Sequence, residues 1–333
     1  MSDFNERLVS FLKSRGESGL VSQLTPDAST REYFRIGWRG ATAIACVYPE
    51  SFSAAEQNYL DVTRLFRLCE LPVAEVLDLD EAFGVIILED LGDTILRDVL
   101  ERSDKKARDN LINQAIDLIP RIQAATTTAF ETGSISSKLR FDKEKLVWEL
   151  GFFNTHYFQT LRRSPLDKTI EKAIELEFEE LAEDLEDRAS VLCHRDFHAA
   201  NLMIAADGCL RIIDHQDARI GSVSYDLVSL LLDRVTQPPH EEWLAEKRRR
   251  FLSGREALGL GQIEEEAFVA EFHLQTIQRC LKAVGTFSFQ ASNRGKAHFL
   301  DYIVPMFRIV SDALQNIGRF PALREILLKE IDV

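Results

Sequence analysis

Residues 191–226 read VLCHRDFHAANLMIAADGCLRIIDHQDARIGSVSYD, and this stretch decides the fold class. The apolar Val191-Leu192-Cys193 gives way to His194-Arg195-Asp196. Leu202-Met203-Ile204 is a second short apolar run, Asp207-Gly208 is a hairpin turn signal, and Leu210 to Ile213 supply the returning strand. Asp196 and Asn201 then share one polar loop, and Asp214 ends the strand that comes back beside it. Three oxygen-bearing side chains converge at one end of a hairpin. Phosphoryl transfer needs such a set: one carboxylate to accept the proton of an attacking hydroxyl, and an amide oxygen and a second carboxylate to hold magnesium on nucleotide phosphates.

The run His194-Arg195-Asp196-Phe197-His198-Ala199-Ala200-Asn201 has the spacing of the kinase catalytic loop H-R-D-x-x-x-x-N. Asp214-His215-Gln216 stands where protein kinases carry D-F-G. The whole segment resembles the aminoglycoside phosphotransferase family, with its H-x-D-x-x-x-x-N and later I-D and Y-D elements. Outside the hairpin, Asp27-Ala28-Ser29-Thr30-Arg31-Glu32-Tyr33-Phe34-Arg35, Ile87-Leu88-Glu89-Asp90-Leu91-Gly92-Asp93 and Gln278-Arg279-Cys280-Leu281-Lys282 are similar to one branch of it, the anomeric kinases of N-acetylmuramate and N-acetylglucosamine. The chain departs from that branch at His198-Ala199-Ala200, where the branch has M-P-R, and at His215, where it has Phe.

Upstream, Phe4, Leu8, Phe11 and Leu12 share one helical face. Strands are expected at 21–24, 32–38, 42–48, 73–77 and 83–88, with a helix over 53–68 opened by a Ser53/Glu56 capping box. From residue 94 the periodicity is helical, over 94–102, 108–127, 142–161 and 169–185, and after the hairpin over 227–232, 240–252, 264–284, 296–317 and 321–328. A strand-rich first quarter before a helix-rich remainder predicts an α+β, bilobal, protein-kinase-like fold. Its small antiparallel-sheet lobe is expected over 1–90 and its larger, mainly helical lobe over 91–333, the latter carrying the hairpin 191–226.

The third strand, Ala43-Ile44-Ala45-Cys46-Val47, lacks the lysine that kinases place there against the α/β-phosphates. The resembled branch lacks it too. Arg31 and Arg35 are the nearest basic alternatives, although Arg35 also fits a solvated strand position. Glu56 is either the capping residue or the partner of such a cation. The resemblance implies nucleotide contacts at Ser29, Thr30 and Arg31 of the phosphate-side loop, and at Glu89 and Leu91 of the hinge, for ATP with Mg2+. Asp196 is the expected base, and Asn201 and Asp214 the expected metal ligands. His194 and Asp226 are expected to brace the loop. Asp217 either assists or is a solvated carboxylate.

Glu149, Arg279 and Lys282 are candidates for substrate contacts, the last two three residues apart on one helix face. A surface pair covering the helix with its stems is the alternative. Trp148, Phe152 and Tyr157 fit either an aromatic sugar platform or core packing.

At 333 residues and 45% hydrophobic, the chain suits two lobes. Its net charge of −14 argues against a nucleic-acid or membrane-surface binder. Five cysteines without C-x-x-C spacing read as reduced thiols, Cys193 among them as a packing residue. No apolar run approaches the ~20 residues of a membrane span, and the N-terminus has no signal-like apolar core. A cytoplasmic monomer acting on a small-molecule sugar is expected, without nucleic-acid or membrane partners. The expected activity is ATP-dependent phosphorylation of a sugar hydroxyl, foremost the C1 hydroxyl of N-acetylmuramate or N-acetylglucosamine in cell-wall recycling. Alternatives are an aminoglycoside or other small-alcohol O-phosphotransferase, and a nucleotide-binding pseudokinase without transfer.

Overall fold

The computed structural model describes residues 3–24 and 31–331. The chain divides into two compact units. One runs to Ser103 and takes in Ala200–Asp217, and the other comprises Asp104–Ala199 and the residues from Ala218 onward. The first unit therefore holds residues 91–103 and the hairpin 202–212 as well as the residues before 90.

The first unit is built on a five-stranded antiparallel sheet of β1 (Val21–Leu24), β2 (Glu32–Trp38), β3 (Ala41–Val47), β4 (Val76–Asp80) and β5 (Val85–Glu89), in the order β1-β2-β3-β5-β4. Arg39 and Gly40 both take positive φ, 49° and 84°, as a two-residue hairpin between β2 and β3 requires. Strand alternation sends Phe34, Ile36, Ala43, Ala45, Val85 and Ile87 to one face. There they meet Leu8, Phe11 and Leu12 of the helix Asp3–Ser14, each such side chain contributing about 1.5–3 kcal/mol by burial. Cys46, Ile86 and Leu88 point to the other face, against Tyr59 and Leu60 of the helix Asn58–Leu68.

That helix begins five residues later than Ser53. Its N-cap is Gln57, which makes no side-chain capping bond, and Ser53–Glu56 closes only a turn through Glu56 N–H to Ser53 O (3.0 Å). The capping-box expectation is thus corrected. The hairpin of β7 (Leu202–Ile204) and β8 (Leu210–Ile212), which follows β6 (Val191–Cys193) in the chain, docks on this unit. Ile212 N–H donates to Pro72 O (2.8 Å) and Ile204 N–H to Thr94 O (2.9 Å).

The second unit is helical apart from β6 and β9 (Arg219–Gly221), which pair antiparallel. Three of its helices start on aspartate caps: Asp104, Asp142 and Asp167 each accept a backbone N–H at 2.8 Å. The 30-residue helix Glu265–Arg294, longer than expected at its C-terminal end, runs against the helix Lys143–Phe153. They approach so closely at Gly285 that a Cβ there would lie 2.9 Å from the backbone N and Cα of Phe153. After Phe153 the expected single helix widens into a π-helical stretch, Asn154–Leu161.

Candidate active site

In the second unit, β6 ends at Cys193 and delivers His194, Arg195 and Asp196. Arg195 sits at φ 85°, a left-handed conformation that costs a non-glycine residue about 1–3 kcal/mol. Asp226, at the start of the wholly buried helix Tyr225–Leu232, holds it there: Oδ2 accepts the His194 N–H (2.7 Å) and Oδ1 the Arg195 N–H (3.1 Å). Burial pushes the Asp226 carboxyl up to about 7, against the pull of those two donors. Cys193 is fully buried, with Sγ against the Ser222 carbonyl (3.4 Å), and burial drives its thiol well above the ordinary value, as suits a packing residue.

Asp196 lies among cations. Its Oδ1 meets Lys282 Nζ (3.2 Å) and Arg279 Nη2 (3.4 Å), and Oδ2 meets Arg195 Nε (3.8 Å). Burial alone would raise this carboxyl, but Lys282, Arg279 and Arg195 outweigh it and hold Asp196 well below the usual carboxylate range. Arg279 is 4% exposed, which rules out a surface pair. Its Nη2 also bonds Ser229 Oγ (3.1 Å) and Asp233 Oδ2 (3.2 Å). His198 Nε2 stands 3.9 Å from the same Asp233 oxygen, and burial pushes its imidazole down to about 4, so it is neutral near pH 7.

Glu149, 1% exposed, accepts from Gln278 Nε2 at 2.8 Å, and Lys145 Nζ lies 3.8 Å from its other oxygen. The close approach at Gly285 makes this contact possible. Lys145 also sits 4.0 Å from the Trp148 ring centroid. Trp148 is exposed, while Tyr157 is buried in a cluster with Phe153 and Phe307. Of these aromatics, Trp148 is therefore available as a platform and Tyr157 is core. The sequence did not single out Ser229 and Asp233, and it offered His198 and Gln278 only as members of motifs. The signal of Ser229, Asp233 and Gln278 was position, a polar residue inside or ending an apolar helical run, while His198 lies in the loop after β6.

In the first unit, Ile213 N–H donates to Asn201 O (3.1 Å), which closes the base of the hairpin, and Asp214 follows at once in the chain. Asp214 takes φ 63°, and its Oδ1 accepts from Gln216 Nε2 (2.8 Å). Arg31 Nη2 lies 4.0 Å from that oxygen. His215 is fully buried between Tyr59 and Phe66, with Nε2 2.7 Å from Thr63 Oγ1. The Thr63 hydroxyl spends its single proton on Tyr59 O (2.6 Å), so His215 carries its proton on Nε2 and donates to Thr63.

Arg35 is neither a free phosphate cation nor a solvated strand residue. It forms a fork to Asp90 (Nε–Oδ2 2.8 Å) and an ion pair to Asp93 (2.7 Å), clamping the segment after β5. In that segment Leu91 is buried, and Glu89 Oε2 accepts the Glu75 N–H at 3.2 Å. Ser29 and Thr30 lie outside the described residues.

Asn201 and Asp214 offer two hard oxygen donors at one hairpin end, and no cluster of three or more His, Cys, Asp or Glu that could hold a metal exists among the described residues. Two such oxygens fit magnesium, which takes one or two protein oxygens and completes its shell with phosphate and water.

The sequence pattern of the phosphotransferase enzyme family (APH) matches residues 21–260, most of the chain, and the chain belongs to that family. It is 29% identical over 288 residues to an N-acetylmuramate/N-acetylglucosamine kinase of Neisseria meningitidis serogroup B, covering 83% of this chain and 82% of that protein. To the protein of the same name in Pseudomonas putida it is 27% identical over 321 residues, or 93% and 87%. Among solved structures, an ADP-bound aminoglycoside phosphotransferase aligns at TM-score 0.58 and 14% identity over 92% of this chain and 98% of that one. The choline kinase of Streptococcus pneumoniae aligns at 0.56 and 14%, over 95% and 99%. The expected kinase-like α+β fold and family are thereby borne out, and the chain is a phosphotransferase with a hydroxyl acceptor. No described helix is long and apolar enough to cross a membrane.

Proposed function

We propose that this phosphotransferase is an ATP-dependent sugar kinase that phosphorylates the C1 hydroxyl of N-acetylmuramate or N-acetylglucosamine. The relatives bearing that name, matched over most of their length, support the sugar class. The carrying observation is the cationic setting of Asp196, whose oxygens meet Lys282, Arg279 and Arg195. Such a setting suits a neutral acetamido sugar or one bearing a carboxylate, and repels a polycationic aminoglycoside.

Asp196 accepts the proton of the acceptor hydroxyl as the phosphoryl group arrives. Lys282 and Arg279 keep it ionised and oriented, and Asp226 fixes the backbone that carries it. Trp148 and Lys145 contact the sugar, and Glu149 orients Lys145. Asn201 and Asp214 hold magnesium, which when bound neutralises and aligns the nucleotide phosphates. Glu89 and Leu91 meet the adenine edge.

Turnover with magnesium-ATP against a panel of acetamido sugars, aminoglycosides and small alcohols tests the reading. Phosphorylation of N-acetylmuramate or N-acetylglucosamine supports it, and turnover of aminoglycosides alone sinks it. ATP binding without transfer to any acceptor would point instead to a pseudokinase.

A further inference from the structure

We propose that the acceptor site extends beyond one sugar, along an uncharged aromatic strip of the second unit that takes the second residue of a reducing, 1,4-linked acetamido disaccharide. The inference rests on the sugar-kinase reading above and adds to it the size of the acceptor.

From Leu274 to Ser288 the helix Glu265–Arg294 is buried at every position except Lys282 and Thr286. Phe289, half-buried, continues that open face one turn further on. Lys282 Nζ meets Asp196 at 3.2 Å, so the open face starts at the proposed base and leads away from it. From Lys282 to Phe289 the helix rises about 10 Å, farther than the breadth of one pyranose ring.

The neighbouring segment, the helix Lys143–Phe153 and the π-helical stretch after it, supplies the other edge. Gln278 meets Glu149 at 2.8 Å, and Phe289 meets Phe152 and His156 with ring centroids at 6.0 and 5.1 Å, so the two edges run the same way from the base. Trp148, Phe152 and His156 follow at four-residue intervals, with successive ring centroids 5.8 and 4.0 Å apart. Trp148 is 58% exposed, and Phe152 and His156 are half-buried.

The strip carries no charge. The longer helix has no charged residue between Lys282 and Arg294, and the other edge has none between the buried Glu149 and His156. Burial pushes the His156 imidazole below its ordinary value, so it is neutral near pH 7, and its Nδ1 has no hydrogen-bond partner among the described residues. A neutral imidazole can donate to or accept from a sugar hydroxyl. The C–H face of a pyranose is apolar and stacks on a flat ring, while its hydroxyl and acetamido groups bond at the edges. In a pyranose C4 stands opposite C1. With C1 at Asp196, a sugar linked through O4 therefore points away from the base, along the strip. Transfer is that of the single sugar: the C1 hydroxyl gives its proton to Asp196, its oxygen bonds the γ-phosphorus, and ADP leaves with the electron pair of the broken P–O bond.

The test is steady-state kinetics with magnesium-ATP on N-acetylmuramate, N-acetylglucosamine and the β-1,4-linked dimer of the latter, N,N′-diacetylchitobiose. Wild type, Phe289→Leu and Phe289→Tyr are compared, with melting temperature recorded for all three. Wild type is expected to phosphorylate the dimer with a KM about three- to tenfold below that for N-acetylglucosamine. F289L keeps the apolar bulk and loses the flat ring, so the dimer's advantage should shrink to within about twofold, while F289Y should retain it. No transfer to the dimer, or a KM no lower than that of the single sugar, would overturn the extension. So would an advantage kept in full by F289L, which would take the second residue off this strip. Wild type that binds ATP and phosphorylates none of the three sugars would instead overturn the sugar-kinase reading, and the extension with it.

Discussion

Asp214 in the first unit is 47% exposed and has Arg31 at 4.0 Å, whereas Asp196 in the second is 25% exposed and has Lys282 at 3.2 Å and Arg279 at 3.4 Å. The first carboxylate stands where solvent and a metal can reach it, fixed from behind by the buried His215–Thr63 bond. The second is set into a network that continues through Arg279 to Asp233 and Ser229, on helices packed tightly enough to require a glycine. In the roles proposed for them, a metal ligand must exchange partners, which open surroundings allow, and a base that must present one oxygen to one hydroxyl gains from being held before substrate arrives.

Breaking the held carboxylate should have the largest effect. Asp196→Asn is expected to lower transfer by about 10²–10⁴-fold while calorimetry shows ADP bound as in wild type. Turnover at the wild-type rate would remove Asp196 from its role. A smaller loss is expected from Lys282→Met, because Arg279 and Arg195 remain. Its signature is in pH: without Lys282 the depressed Asp196 carboxyl rises, so the acidic limb of kcat/KM moves to higher pH. The ion pairs of Asp196 stabilise the fold above the ordinary carboxylate pKa, and that contribution is lost as pH falls through the depressed value. Thermal melts in acid should therefore separate K282M from wild type least at the lowest pH.

Gly285→Ala tests the packing behind this network. A methyl 2.9 Å from the Phe153 backbone must part the two helices, at about 1–3 kcal/mol in chemical denaturation, and loosen Glu149 from Gln278. The tether of the first unit should give the smallest net change. Thr63→Val strands the His215 Nε2 proton and costs about 1–3 kcal/mol, with a raised Mg2+ requirement. The double variant Thr63→Val, His215→Phe removes both polar partners and is expected to recover most of the stability. If it does not, the hydrogen bond is not what ties the helix Asn58–Leu68 to Asp214.

The hairpin was legible because its signals are local. Two short apolar runs and Asp207-Gly208 follow one another in the sequence, and strand alternation with that turn sets the pairing of Leu202–Ile204 with Leu210–Ile212. The change from a strand-rich first quarter to a helix-rich remainder was legible for the same reason, as the period of the hydrophobic pattern changes after residue 93, but the placing of residues 91–103 and the hairpin 202–212 with the first unit was not. What escaped depends on partners far apart in the chain. Arg35 reads as a strand residue until Asp90 and Asp93 are beside it, and Thr63 gives no hint of His215, 152 positions away. The basic pair Arg279 and Lys282 was visible, but its burial against Asp196 was not, because the apolar neighbours that bury it look the same on a helix half exposed. The Ser53/Glu56 signature failed where two aromatic residues, Tyr48 and Phe52, pack together and the chain turns before the helix can start.

The position of the phosphate on the product is the most direct test of the central claim. With N-acetylmuramate or N-acetylglucosamine and magnesium-ATP, phosphorus–proton coupling in the product should place the new phosphate on C1, and the sugar should lose its reducing end. A product phosphorylated at another hydroxyl, with the reducing end intact, would contradict it.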